Sequence, residues 1–121
     1  MKTAQQHLGQ KGEDIAINFL KQKGLSILFR NYRIGRAEID IIAESSEWLL
    51  FIEVKTRSSL KYGYPESFVS KKQENMLFDA SEAYCVKHQS TKHIRFDIIA
   101  ILIVDKRINI MHFEDAFWPM G

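Results

Sequence analysis

The sequence predicts an α/β sandwich, a mixed central β-sheet flanked by helices, in the order αβββαββ. Three observations carry this expectation. Two segments, residues 4–23 and 70–88, place apolar side chains at helical spacing. Residues 37–57, AEIDIIAESSEWLLFIEVKTR, read as two strands joined by a turn. Residues 93–104 turn apolar on both faces from Ile98 onward, as a strand does when helices cover both sides of its sheet. Helices that bury one stripe each, packed on a sheet, make a layered architecture.

The chain of 121 residues has room for one domain with a proper core, spanning 1–121. Its 45% hydrophobic and 26% charged content is ordinary for a soluble protein. A net charge of +2 and a pI near 8.7 permit a polyanionic partner without demanding one. Cys85 stands alone, so no intramolecular disulfide is possible and a reducing compartment is expected. The polar start MKTAQQHLGQKGED does not read as a signal peptide. The longest apolar run, Ile98 to Val104, falls far short of the ~20 residues that span a bilayer. The expectation is a soluble, cytoplasmic protein without membrane association.

In the first helix Leu8, Ile15, Ala16, Phe19 and Leu20, with Gly12, form one stripe. Gly9 and Gly12 are poor helix formers at about 1 kcal/mol each, so they imply close packing against a strand or a ligand. Glu13 lies beside the stripe, where an ordinary solvated charge competes with any site role. Gly24 ends the helix as its C′ residue. Leu25 to Tyr32 follows as a strand with Leu25, Ile27 and Phe29 on one side. Arg30, Arg33 and Arg36 then suit phosphate contacts, against the competing reading that surface arginines are common and often idle.

In the central hairpin, a two-residue tip at Ser46-Glu47 makes cross-strand partners sum to 93. Ile39, Ile41 and Ala43 then face Val54, Ile52 and Leu50 on an apolar side. Glu38, Asp40, Ile42 and Glu44 face Lys55, Glu53, Phe51 and Leu49 on the side that collects charge. Opposed carboxylates at about 5 Å destabilise a sheet unless something compensates. A divalent cation held by Asp40 and Glu53 would do so, with Lys55 adding positive charge. A solvated face with a Glu38–Lys55 pair worth about 0–1 kcal/mol is the competing reading.

Thr56 to Ser67 reads as a loop holding Gly63 and Pro65. Its Arg57, Lys61, Tyr62 and Tyr64 mix cations with rings, suiting a nucleic acid or an ordinary surface. Ser70 and Gln73 fit a capping box, which competes with any site role for Gln73. Gln73, Met76, Leu77, Ala80 and Tyr84 share one face of the second helix. Arg107–Phe113 reads as the last strand. The tail carries Phe117, Trp118 and Pro119 and is expected to pack on the body or on a second subunit.

The four histidines and one cysteine show no zinc spacing, and no phosphate-binding glycine loop or nucleophile elbow occurs. What remains is a cluster of hard oxygen ligands beside a lysine. Such ligands suit Mg²⁺ or Mn²⁺, and the combination suits phosphodiester hydrolysis.

Asp40, then Glu53-Val54-Lys55 after twelve intervening residues, resembles the D…(D/E)-x-K signature of the restriction-endonuclease-like nuclease superfamily. Over nearly its full length the chain resembles the small bacterial YraN-like family, distantly similar to archaeal Holliday-junction resolvases. The resemblance includes Gly9-Gln10-Lys11-Gly12-Glu13, Asn31-Tyr32-Arg33, Glu38-Ile39-Asp40, Phe51 through Arg57, Lys72-Gln73 and Arg95-Phe96-Asp97. It implies a restriction-endonuclease-like sandwich and an endonuclease acting on DNA, including branched intermediates, with Mg²⁺ or Mn²⁺. Asp40 and Glu53 are implied as metal ligands, with the Val54 carbonyl adding to them. Lys55 is implied as the catalytic lysine, with Glu13 and Gln73 reaching the site from the two helices. Arg33, Arg36, Arg57, Lys71 and Lys72 are then the expected nucleic-acid contacts. The family usually has Gly where this chain has Ala37; a left-handed backbone there would cost Ala about 1–2 kcal/mol.

The alternative is a module that keeps the fold without turnover and binds nucleic acid or a protein, motivated by the low net charge and Ala37. A degenerate site is expected to lose Glu53 or Lys55, and both are present. Cutting two strands takes a second copy of a single-site domain, so a homodimer is expected, with Phe117 and Trp118 as candidate contacts.

Overall fold

The computed structural model describes residues 1–59 and 69–118. The expectations for Lys61, Tyr62, Gly63, Tyr64, Pro65 and Pro119 lie outside the described residues. The elements are α1 (Ala4–Gln22), β1 (Ser26–Ile34), β2 (Ala37–Glu44), β3 (Trp48–Arg57), α2 (Lys71–His88), β4 (His93–Val104) and β5 (Arg107–Phe113). This is the expected order.

Local chemistry sets the helix ends. Thr3 accepts the N–H of Gln6 while the Gln6 amide oxygen takes the N–H of Thr3, a capping box at the start of α1. Gly24 adopts φ +87° just past the Lys23 C-cap, as expected of its C′ position. Ser70 and Gln73 form the same reciprocal cap on α2.

The five strands line up β1-β2-β3-β4-β5, with β3 and β4 parallel and the other pairs antiparallel. The sheet is therefore mixed, with α2 as the crossover between the parallel pair. Ala16 and Leu20 of α1 pack on Ile41, Ala43, Leu50, Ile52, Ile99 and Ile101. On the other face Leu77, Ala80 and Tyr84 of α2 pack on Ile42, Leu49, Phe51 and Phe96. Among the described residues one helix covers each face, giving three layers.

The central hairpin has the predicted register over four pairs, from Glu44↔Leu49 to Ile41↔Ile52, but the ladder stops before the expected pairs Asp40↔Glu53, Ile39↔Val54 and Glu38↔Lys55. Ser45 N–H donates to the Trp48 carbonyl at 2.9 Å across the Ser46-Glu47 tip. Its faces differ from the expectation. Ile42, Leu49 and Phe51 are buried beneath α2, so the side expected to collect charge is core for half its length. Ile39 joins that core, whereas Ile41 lies in the one under α1. Strict alternation fails at Asp40, just where the β2–β3 pairing ends.

Strand β1 also departs from simple alternation. Ile27 pairs with Ala43 but Phe29 pairs with Ile42, so Leu28 is an extra residue, a bulge. The bulge turns Phe29 away from Ile27 and onto Tyr84 and His88 of α2. Thr56 and Arg57, expected in a loop, close β3. In the tail, Phe117 stacks on Phe96 at 5.4 Å and Trp118 meets the same ring edge-on at 5.4 Å. The residues that suggested a dimer contact thus pack on their own sheet. Ala37 is a regular strand residue paired with Ile34, and Gly35 takes the left-handed φ of +58°. The departure at Ala37 carries no backbone strain.

Candidate active site

The site forms where β2 and β3 part. Beyond the Ile41↔Ile52 pair, the Asp40 carboxylate rather than a strand carbonyl accepts the Val54 N–H, at 2.8 Å. A buried backbone donor left without a partner would cost about 1–3 kcal/mol, so this bond also anchors Asp40. Two residues along β3, and on one side of the strand by its period of two, are Glu53 and Lys55. Their side chains pair at 3.0 Å and are 12% and 16% exposed. Lys55 therefore belongs to Glu53, and Glu38 pairs instead with Arg33 at 3.2 Å.

Helix α1 roofs this corner because of Gly12. A Cβ there would lie 1.8 Å from Thr56 Oγ1, so only glycine allows α1 to settle on the end of β3. The close approach places Glu13 and Gly9 at the corner. A cavity of about 620 Å³ results, walled by Glu13, Asp40, Glu53, Val54, Lys55 and Arg57 among others.

Burial pushes the Asp40 carboxyl up to about 8, Glu53 and Glu13 add to the rise, and the Val54 N–H and Lys55 oppose it. Arg30 of β1 draws on Glu13 at 3.3 Å and on Asp14 at 2.6 Å. Glu13, Asp40 and Glu53 thus line one cavity, with Lys55 and Arg57 as cations in its wall and Arg30 holding Glu13 from outside.

Of the expected site residues, Asp40, Glu53, Lys55, Glu13 and the backbone of Val54 come together. Gln73 does not line this cavity; its amide oxygen takes the Ser70 N–H at 3.1 Å. Among the expected nucleic-acid contacts, Arg57 stands at the cavity and donates to the Thr56 carbonyl at 3.0 Å. Arg33 is exposed beside Glu38, Arg36 sits in the β1–β2 turn, and Lys71 and Lys72 are exposed in the first turn of α2. The role of Arg30 in fixing Glu13 was not visible beforehand, because the contact joins residues 17 apart through helix–strand packing.

The profile of the Uncharacterised protein family UPF0102 matches residues 12–101, a span that holds Glu13, Asp40, Glu53 and Lys55. The chain belongs to the UPF0102 family. A UPF0102 protein of Flavobacterium psychrophilum is 45% identical over 111 residues, 92% of this chain and 93% of its own. One from Clostridioides difficile is 42% identical over 110 residues, covering 90% and 95%. Another, from Christiangramia forsetii, is 42% identical over 111 residues, covering 92% and 93%. These UPF0102 relatives match essentially end to end. Among the described residues no helix is long and apolar enough to cross a membrane.

Proposed function

We propose that this UPF0102 protein is a divalent-cation-dependent endonuclease that hydrolyses DNA phosphodiester bonds in the cytoplasm. The observation that carries the reading is the convergence of Asp40, Glu53 and Lys55 in one cavity at the parting of β2 and β3. The resemblance of Asp40…Glu53-x-Lys55 to the restriction-endonuclease-like signature supports it.

The donor set fits Mg²⁺ or Mn²⁺. Among the described residues no three of His, Cys, Asp and Glu gather closely enough to cage an ion. Mg²⁺ asks for no such cage; it is commonly held by one or two carboxylates, the rest being water and substrate phosphate. Asp40 and Glu53 would hold it, with the Val54 carbonyl at hand, and its charge would relieve the crowding of carboxylates. When bound, such an ion lowers the pKa of water and neutralises charge growing on phosphoryl oxygens.

The remaining work falls to this chain. Glu53 fixes the Lys55 ammonium at 3.0 Å, so a donor is oriented before substrate arrives. From there Lys55 Nζ can hydrogen-bond the attacking water or a phosphoryl oxygen. Glu13, steadied by Arg30, closes the third side and orients water in the cavity. Helix α1, seated through Gly12, limits solvent entry.

A cleavage panel of single-stranded, duplex, flapped and four-way DNA, with Mg²⁺ and Mn²⁺ titrated, tests this. Cleavage is expected with either cation, and Glu53→Ala and Lys55→Ala are expected to lose about 100-fold or more. Undiminished cutting by those variants defeats the assignment. Binding that survives both substitutions, without cleavage of any form, identifies a binding module instead. Cutting both strands takes two copies of this single-site domain, so sedimentation on four-way DNA is expected to show a dimer.

A further inference from the structure

The cavity at Asp40 and Glu53 is not isolated. A second hollow of about 270 Å³ lies against it, and the two share Gly9 and Glu13 in their walls. Gly9 is the low point between them: a Cβ there would meet nothing within 4 Å, so the helix surface is bare backbone. The second hollow carries two cations, Lys2 and Arg30, and three carboxamides, Gln6, Gln10 and Asn31. Among the described residues no aromatic ring lines it to stack a base. Cations with carboxamides are the usual partners of sugar and phosphate oxygens.

Position reinforces the chemistry. Lys2 and Gln6 flank the start of α1, whose first turn has no acidic residue to offset the helix's positive end. Arg30 is pinned at the border by Asp14 at 2.6 Å and by the Gln10 carbonyl at 3.3 Å. A strand lying in the first cavity would continue across Gly9 into this hollow.

We propose that this hollow holds the sugar–phosphate of the nucleotide flanking the scissile bond, on one strand of DNA, and that Gly9 keeps the passage open. The inference rests on the nuclease reading for its scissile bond, but binding alone tests it. Anisotropy of a short fluorescein-labelled single-stranded deoxyoligonucleotide, without divalent cation, is the measurement.

Gly9→Leu is expected to weaken binding about tenfold or more, a loss near 1.4 kcal/mol. Its thermal midpoint is expected at or above that of the parent, since leucine is the better helix former. Lys2→Ala is expected to flatten the slope of log K against log salt by about 0.7, one phosphate contact on a single strand. Parent-like affinity in Gly9→Leu, an unchanged salt slope in Lys2→Ala, or no binding by the parent chain overturns the proposal. Should Gly9→Leu unfold, Lys2→Ala on its exposed side chain decides alone. A parent that binds here yet cuts no form of DNA in the Mg²⁺ and Mn²⁺ panel refutes the nuclease reading, while Gly9→Leu and Lys2→Ala still decide the subsite.

Discussion

Gly12 and Gly9 sit three residues apart on one helix and do opposite things. At Gly12 a methyl group would meet Thr56 Oγ1 at 1.8 Å, its Cβ at 2.8 Å and its Cγ2 at 2.9 Å. Rotating Thr56 moves Oγ1 and Cγ2 but leaves the Cβ contact, so the backbones must separate. Overpacking of this kind costs about 1–3 kcal/mol, against a gain of about 1 kcal/mol in helix propensity. Gly12→Ala is therefore expected to lower the urea midpoint with an unchanged m-value, and to reduce cleavage as Glu13 is carried off the site. A parent-like midpoint would show that α1 seats on β3 by other contacts. The sequence marked both glycines as close-packing positions, but only the fold separates the one against a strand from the one facing open space. Glu53 and Lys55 were legible because strand periodicity alone puts them on one side, whereas Asp40, expected directly opposite Glu53, instead reaches the site by accepting the Val54 N–H. The Arg30–Glu13 pair was not, since no spacing rule links a strand residue to a helix residue across a packed layer.

At the scale of elements, Gln73 decides between two readings of one motif. Its spacing from Ser70 predicts a cap, and the family resemblance implies a site residue. In the structure Gln73 Oε1 takes the Ser70 N–H at 3.1 Å while Ser70 Oγ takes the Gln73 N–H at 3.2 Å. Loss of an N-cap hydroxyl costs about 0.5–2 kcal/mol. Ser70→Ala and Gln73→Ala are each expected to lower stability toward urea, the first by about 1 kcal/mol, with cleavage at the parent rate. A Gln73→Ala protein of parent stability and much reduced turnover would return Gln73 to the site. The hairpin register was readable for a related reason: a two-residue tip and an alternating pattern leave few pairings. What escaped was local irregularity. The bulge at Leu28 and the switch of faces at Asp40 answer to how the sheet meets α2, which neighbouring residues do not encode.

Across the whole molecule, Asp97 ties the far end of the sheet together. It lies fully buried in β4, a strand whose run of apolar residues gives a lone carboxylate no evident purpose. Arg95 grips it with two bonds, at 2.9 and 2.8 Å. His112 of β5 reaches it through Nε2 at 2.7 Å, and the Asp115 N–H donates at 3.0 Å. Lys23 Nζ donates to the other ring nitrogen of His112 at 2.9 Å, which sets the tautomer with its proton on Nε2. One carboxylate thus joins β4, β5, the end of α1 and the tail whose Phe117 and Trp118 cover Phe96. Burial alone would raise the Asp97 pKa, but bonds from His112, Arg95 and the Asp115 N–H outweigh it and hold the carboxyl below its usual value of 3.8. The sign follows from linkage. A carboxyl depressed in the folded state stabilises the fold above its unfolded pKa, and that contribution is lost as pH falls through the lower, folded value. The network should therefore hold at neutral pH and fail only below about pH 4. Asp97→Asn leaves Arg95 and His112 facing a neutral amide, and breaking a buried pair from one side costs about 3–5 kcal/mol. Urea unfolding between about pH 7 and pH 3 is expected to show that loss at neutrality, with a shallower decline on the acid side than in the parent chain. Parallel acid limbs would place the acid-sensitive carboxylate elsewhere and leave Asp97 a packing residue.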